Sequence, residues 1–449
     1  MKSSKYNFLF DIDNKEFFVY NTHSNALIEI DEETYSTLQR LKSSELSKTD
    51  VYEELYEILV SNGILTENDE DDYLKYKASI ASMRGHRGYM HLTLAPTMEC
   101  CFNCYYCFEK CKEKNYMTPN VMESIVKYIS LQPDLENIKL TWFGGEPLMA
   151  LSEMEEFYNK LTHVWRKTIQ SNVITTGYHI NEEVIAIFKK INISQVQITL
   201  DGLKETHNKI KYLASGEDVF SKVWSNIELL SIIAPEINVV IRVNLTLRNA
   251  HEYTLLLEKY YETFKNQKNV AIAPAFVLDR GADNCEVGDK QHFLFKHDER
   301  SRFILDLAQR GIGSPFLKYP ERFFNECAIR NNVAISFDPK GNAYKCWEVI
   351  GNEAYSIGRL NSDGQLVDIN LKILNRQLYG ADPMDDPVCV KCKYLPICGG
   401  GCPIQRIQNK YEGGHNNVCT YYRGFLIDFL KLHITRKRQI EKIAKAAGD

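Results

Sequence analysis

Along residues 1–88 the apolar positions first alternate and then fall into helical stripes. Phe8, Phe10 and Ile12 alternate with other residues, and so do Phe17 and Val19, then Ala26, Ile28 and Ile30, with Asp13-Asn14-Lys15 as a turn. Three short strands are expected. Asp31 caps a helix with Tyr35, Leu38 and Leu41 on one face; a second helix carries Val51, Leu55, Ile58 and Leu59 and stops at Asn62-Gly63. An acidic run from Glu67 to Asp72 begins a linker. From Tyr89 the pattern becomes strand–helix alternation, with strands expected at 90–96, 138–143, 171–176, 196–201, 238–246 and 270–278. Thr118 and Pro119 open one of the intervening helices, whose Val121, Met122, Ile125, Val126 and Ile129 share a face. Repeated βα units imply an α/β fold: a parallel sheet, closed or partly closed into a barrel, with its chemistry at the C-terminal strand ends. A last helix is expected from Tyr421 to Ala444; its basic Arg436-Lys437-Arg438 suits the negative end of a helix dipole.

Composition narrows the classes. The 449 residues have room for several domains, and 44% hydrophobic with 25% charged residues is ordinary for a globular chain. A net charge of −5 argues against a nucleic-acid partner, and no apolar run approaches the length of a membrane span. The N-terminus leads into alternating strand sequence rather than a signal core, so a cytoplasmic location is expected. There, thirteen cysteines are metal ligands sooner than disulfides. Five lie in 100–111 and seven in 327–419, leaving Cys285 alone. No HExxH, GxSxG or phosphate-loop motif supports hydrolysis.

Cys100-x3-Cys104-x2-Cys107 follows the first barrel strand. Three thiolates hold three corners of a [4Fe–4S] cube and leave one iron for another ligand. A zinc knuckle needs four, with Cys111 as the local candidate for the fourth; Cys101 reads as a spectator. The motif resembles that of the radical S-adenosylmethionine (SAM) superfamily. In that family SAM completes the open iron and is cleaved to a 5′-deoxyadenosyl radical that abstracts hydrogen. The resemblance puts Tyr106, just before the third cysteine, near the adenine.

Gly144-Gly145-Glu146-Pro147 follows the next strand and matches the family's GGEP motif, which implies that it binds the SAM amino group. Arg242 and Asn244 resemble a family strand near SAM, where an arginine suits the carboxylate. Thr199-Leu200-Asp201-Gly202 with His207 resembles the DG…HD segment of the subfamily, but Asn208 stands for the usual Asp and Lys211 for the usual Arg. Thr175-Thr176-Gly177 lacks the usual Asn. Structural roles and ligand contacts are both open for Asp201, His207, Arg242 and Asn244.

Cys327-x13-Gly341-x4-Cys346, then Cys389-x2-Cys392-x5-Cys398-x3-Cys402 and Cys419, resemble the SPASM domain of peptide-modifying radical SAM enzymes. That resemblance implies a distal cluster on Cys389, Cys392, Cys398 and Cys419, and a nearer one on Cys327, Cys346 and Cys402, three [4Fe–4S] clusters in all. The nearer one lacks a fourth ligand unless Cys285 serves; otherwise its open iron binds a substrate thiolate. Gly399-Gly400-Gly401 lets the chain wrap tightly between ligands.

The resemblance implies a partial (β/α)6 TIM-like radical SAM barrel at 89–310. It is flanked by a winged-helix-like peptide (leader) recognition domain at 1–88 and an auxiliary-cluster domain with a C-terminal helix at 311–449. The expected activity is modification of a ribosomally made precursor peptide, held by its leader as an added edge strand. A donor such as flavodoxin or ferredoxin supplies the electron. A Cys thioether is the first expectation; carbon–carbon or carbon–oxygen crosslinking and epimerisation are alternatives. Sulfatase maturation fits less well, because those enzymes place an acid just after the cysteine matched by Cys346 and this chain has Trp347. A non-catalytic Fe–S scaffold is the alternative of another class. No residue is assigned as an acid, base or nucleophile.

Overall fold

The computed structural model describes residues 1–40, 53–109, 113–278, 293–312, 319–323 and 327–447. Leu41, Val51, Cys111 and Cys285 lie outside them. The chain forms two compact units that interleave in sequence: 1–85 with 296–327 and 381–449, and 86–295 with 328–380.

The first unit opens with strands β1 (Asn7–Ile12), β2 (Glu16–Asn21) and β3 (Leu27–Ile30), an antiparallel sheet in that order. Asp13 and Asn14 both take positive φ, 54° and 55°, as a tight hairpin turn requires. Helix α1 (Glu32–Arg40) is capped as expected, Asp31 Oδ1 accepting from Thr34 N at 2.7 Å. Helix α2 is Glu53–Ser61.

The expected linker is instead a helix, α3 (Asp69–Gly85). Its four acidic residues in the first turn favour the positive end of the dipole. Tyr73, Tyr76 and Ile80 share one face and pack on Met384 and Leu395, partners that lie about 300 residues away in the chain, so no local pattern announces them. The last helix, Leu426–Ala447, starts later than expected because Gly424 turns at φ 87°.

The second unit holds the parallel strands β4 (Tyr89–Leu94), β5 (Asn137–Trp142), β6 (Thr168–Thr175), β7 (Ile193–Leu200), β8 (Asn238–Leu245) and β9 (Val270–Phe276). Neighbours in the sheet are neighbours in the chain, and every pairing among them is parallel. That order is a barrel's, not the reversed order of a doubly wound sheet. β4 pairs on its other side with Ile335–Phe337, also parallel, which continues into three antiparallel strands. Helix α4 (Pro119–Ser130), capped by Thr118, packs on α5 (Leu151–Val164), and α5 on α6 (Glu182–Lys190). Burying each outward apolar face under a helix makes alternate strand residues core: Met90, Leu92 and Leu94 in β4 are fully buried. No helix among the described residues is long and apolar enough to cross a membrane.

Candidate active site

The six strands end around a cavity of about 240 Å³ in the second unit. Each strand end contributes. After β4 the chain leaves regular structure, and Cys100, Cys104, Tyr106 and Cys107 line the cavity. After β5 come Gly144 and Gly145; from β6, Thr175 and then Thr176. β7 supplies Gln197 and Thr199, and β8 supplies Arg242 and Asn244. Arg242 and Asn244 lie two apart, so they share one strand face, and Arg242 Nε donates to Asn244 Oδ1 at 3.2 Å.

The two glycines are demanded by packing. Gly145 N donates to Thr97 O at 3.1 Å and Glu146 N to Glu99 O at 2.7 Å, clamping this turn to the root of the cysteine loop. A Cβ on Gly144 would stand 2.5 Å from Thr97 O, and one on Gly145 2.2 Å from Glu99 O. Gly144 also takes φ 112°, which side-chain-bearing residues rarely adopt.

Glu146 and Pro147 do not line the cavity. The Glu146 carboxylate is fully buried and meets four donors of its own chain. Oε1 accepts from Thr175 Oγ1 at 2.6 Å and Leu148 N at 3.1 Å; Oε2 accepts from Thr176 Oγ1 at 2.6 Å and Thr176 N at 2.8 Å. The sequence aims this carboxylate at an ammonium group, whereas here its acceptor positions are used internally. Thr175 and Thr176, at the end of the next strand, are its partners.

Asp201 and Lys211 form a buried ion pair behind Tyr106, and Lys211 also reaches the cavity. Burial alone would lower the Lys211 pKa; the Asp201 carboxylate and the Cys104 and Cys100 thiols outweigh it, so the ammonium is retained. His207 is buried, with its pKa pushed down to about 3 by burial and then by Lys211, and its Nδ1 accepts from Asp201 N at 3.2 Å. A neutral ring with Nε2 protonated follows.

An aromatic wall was not anticipated. Phe108 stacks on Phe143 (centroids 6.1 Å apart) and Phe143 packs on Trp347 at 5.3 Å. Trp347 and the following Glu348 both line the cavity. The residue read only as a departure from sulfatase maturases is thus part of the site.

The donor set fits a cube. A cube puts each thiolate on its own iron, so its ligands ring a cavity, as Cys100, Cys104 and Cys107 do. A hydrogen bond with Cys100, then burial, push the Cys101 thiol up, which keeps it protonated and a poor ligand.

Residues 94–261 match the Radical SAM superfamily. This stretch is a radical SAM domain. The chain is 24% identical, over 354 residues, to a cysteine-type anaerobic sulfatase-maturating enzyme of Clostridium novyi (strain NT), which covers 73% of this chain and 91% of that one. It is 24% identical, over 488 residues, to the radical SAM cyclopropyl synthase TigE of Paramaledivibacter caminithermalis, covering 98% and 96%. In fold it is similar to Streptococcus suis SuiB, solved bound to its precursor peptide SuiA, with a TM-score of 0.51 at 16% identity over 93% of this chain and 99% of that one.

Six described cysteines belong to the first unit, among them Cys389, Cys392, Cys398 and Cys419. Cys389 and Cys392 share a tight turn, Cys392 N donating to Cys389 O at 2.9 Å. Burial raises the Cys389 thiol and pushes Cys398 up to about 11, with Cys419 and Cys389 among the groups acting on Cys398. Arg406 Nη1 donates to Cys389 Sγ at 3.4 Å, and Arg423 Nη1 to Cys419 Sγ at 2.9 Å. Gly399, Gly400 and Gly401 all take positive φ, and a Cβ on Gly401 would stand 1.9 Å from Val418 O. The expected tight wrap is present. Cys327 and Cys402 complete the six, and Cys346 belongs to the barrel unit.

Proposed function

We propose that this radical SAM enzyme matures a ribosomally made precursor peptide by forming a crosslink in it. The observation that carries the reading is the ring of strand ends in which Cys100, Cys104, Cys107, Gly144, Arg242 and Asn244 share one cavity beside an aromatic wall. When bound there, SAM and a reduced [4Fe–4S] cluster supply a 5′-deoxyadenosyl radical that takes hydrogen from an unreactive carbon.

The chain's own residues bind and orient. Cys100, Cys104 and Cys107 hold the cluster. The Gly144-Gly145 backbone and the Arg242–Asn244 pair face the amino-acid part of SAM, Arg242 as the partner for its carboxylate. Glu146 acts from behind, keeping the Gly144–Pro147 turn against the β6 end. Phe108, Phe143 and Trp347 exclude water from the hydrogen-transfer path and offer an apolar face to the peptide.

Residues 1–88 take the leader: the outer strands of the sheet, β1 and β3, each have one strand neighbour among the described residues. Cys389, Cys392, Cys398 and Cys419 hold a distal auxiliary cluster. The sequence resemblance offers Cys327, Cys346 and Cys402 as ligands of a third cluster, with Cys285 or a substrate thiolate completing it. Flavodoxin or ferredoxin supplies the electron in a cytoplasmic setting.

Two bond types have specific support. The cysteine inventory, three protein ligands for the nearer cluster, favours a Cys thioether. Similarity to a cyclopropyl synthase over 98% of the chain, against 73% for the sulfatase maturase, favours carbon–carbon closure. Anaerobic co-expression with a candidate precursor from a short reading frame beside the gene, followed by tandem mass spectrometry before and after thiol alkylation, separates them. Loss of two hydrogens with one alkylatable thiol gives the thioether. The same loss with all thiols free gives a carbon–carbon or carbon–oxygen bond. An unmodified authentic precursor, from enzyme that cleaves SAM, overturns the crosslinking reading.

A further inference from the structure

Three polar side chains outside the roles above meet at the cavity wall. Tyr106 Oη donates to Asp201 Oδ1 at 2.6 Å. Lys211 Nζ pairs with Asp201 Oδ2 and reaches the Tyr106 oxygen at 3.3 Å. The Lys211 and Asp201 side chains are 2% and 1% exposed. Tyr106 and Lys211 line the cavity; Asp201 does not, and stands behind both. Asp201 is itself fixed through its backbone, its N–H donating to His207 Nδ1 at 3.2 Å and its carbonyl accepting from Asn249 Nδ2 at 2.8 Å.

Burying an ion pair costs desolvation that a hydrophobic pair would avoid, so it earns its place where it specifies a geometry. The geometry specified here is that of Tyr106. This residue sits in a turn closed by Cys107 N donating to Cys104 O at 3.0 Å, which fixes the backbone and leaves the ring's own torsions to its side-chain contacts. Its hydroxyl is met by Asp201, just past the end of β7, and by Lys211, ten residues further on, which pair with each other, and Asn244 also acts on it. The lysine replaces the expected arginine, and its single ammonium reaches the carboxylate and the phenol together.

We propose that Asp201 and Lys211 are positioning residues for SAM: acting through the Tyr106 hydroxyl, they lock the ring and the loop between Cys104 and Cys107 in the orientation that receives SAM. The proposal rests on the cavity being the SAM site.

The test is a double-mutant cycle on SAM affinity, using anaerobically reconstituted full-length enzyme. Wild type, Tyr106→Phe, Lys211→Gln, Lys211→Arg and Tyr106→Phe/Lys211→Gln are compared by calorimetric SAM binding, iron content and the change in the reduced-cluster EPR signal on adding SAM. Losing a hydrogen bond that positions the ring raises the SAM Kd about tenfold in each of Tyr106→Phe and Lys211→Gln, with iron unchanged. The double variant is also about tenfold weaker, not about a hundredfold, because both changes break one device. Lys211→Arg stays within about threefold of wild type. Additive losses, or single variants within about twofold of wild type, overturn the proposal. If Lys211→Gln fails to fold or to hold iron, Tyr106→Phe decides alone, since it keeps the ring and removes only the hydroxyl: unchanged affinity overturns it. Wild-type enzyme that holds iron and binds no SAM refutes the assignment of the cavity instead.

Discussion

The Thr176 hydroxyl and the Glu146 carboxylate are 2.6 Å apart, and the Thr176 N–H reaches the same oxygen at 2.8 Å. Together with Thr175 they tie the turn after β5 to the end of β6, in a place where both are buried or nearly so. A carboxylate taken from water is tolerated there because each of its oxygens meets two donors.

Thr175→Val removes one hydrogen bond to a buried charge and keeps the side-chain shape. The expected cost is about 1.5–3 kcal/mol of stability, read by urea denaturation. Glu146→Gln turns an acceptor-only group into one that presents an NH2 to backbone donors that cannot reverse. It lowers stability by a similar amount and weakens SAM binding as the Gly144–Pro147 turn shifts. A stable Glu146→Gln variant with wild-type SAM affinity would show that the turn holds itself.

Gly145→Ala drives a methyl to within 2.2 Å of Glu99 O, a backbone atom that cannot swing away. The root of the cysteine loop must move. We expect loss of the iron held by Cys100, Cys104 and Cys107 and of SAM-dependent 5′-deoxyadenosine, with any iron at the proposed auxiliary sites retained. Iron content and the EPR spectrum with SAM check this; full iron content would contradict it.

The pH response has a definite sign. His207 ordinarily titrates at 6.5, and burial pushes it down to about 3 in the folded chain. The unfolded chain therefore binds the proton first on acidification. Stability from this group is complete above about pH 6.5 and is lost as pH falls toward 3, by about 2 kcal/mol between pH 7 and 5. Asp218 also sits below its ordinary value, lowered first by Asn208 and Lys204, but at pH 5 it is ionised in both states and adds nothing. His207→Gln should flatten this part of the profile when urea midpoints are compared at pH 7 and 5.

At the distal cysteines, Gly401→Ala places a methyl 1.9 Å from Val418 O, next to Cys419. It should cost the iron of the distal cluster while calorimetric SAM binding, a property of the other unit, stays within about twofold of wild type. Loss of both, or of neither, would count against a distal cluster held separately from the barrel.

Much of the architecture was legible. The strand expected at 138–143 is Asn137–Trp142, and that at 238–246 is Asn238–Leu245, because every second residue of each is apolar and buried, the period-two signal of a strand. Thr118-Pro119 and Asp31 announced their helices through capping chemistry that is local by nature. The linker was misread because the apolar face of Asp69–Gly85 is three residues, two of them tyrosines, and its partners Met384 and Leu395 are remote in the chain.

The sequence by itself determined the barrel, the order of its strands and the cysteine frameworks, since periodicity and ligand spacing are written along the chain. Only the tertiary structure decided where the polar side chains spend their hydrogen bonds. Glu146 faces Thr175 and Thr176 instead of the cavity, and Asp201, paired with Lys211, meets Tyr106 across 95 residues. Such choices depend on which donors the fold brings within about 3 Å of a buried charge, and spacing along the chain carries no record of that distance.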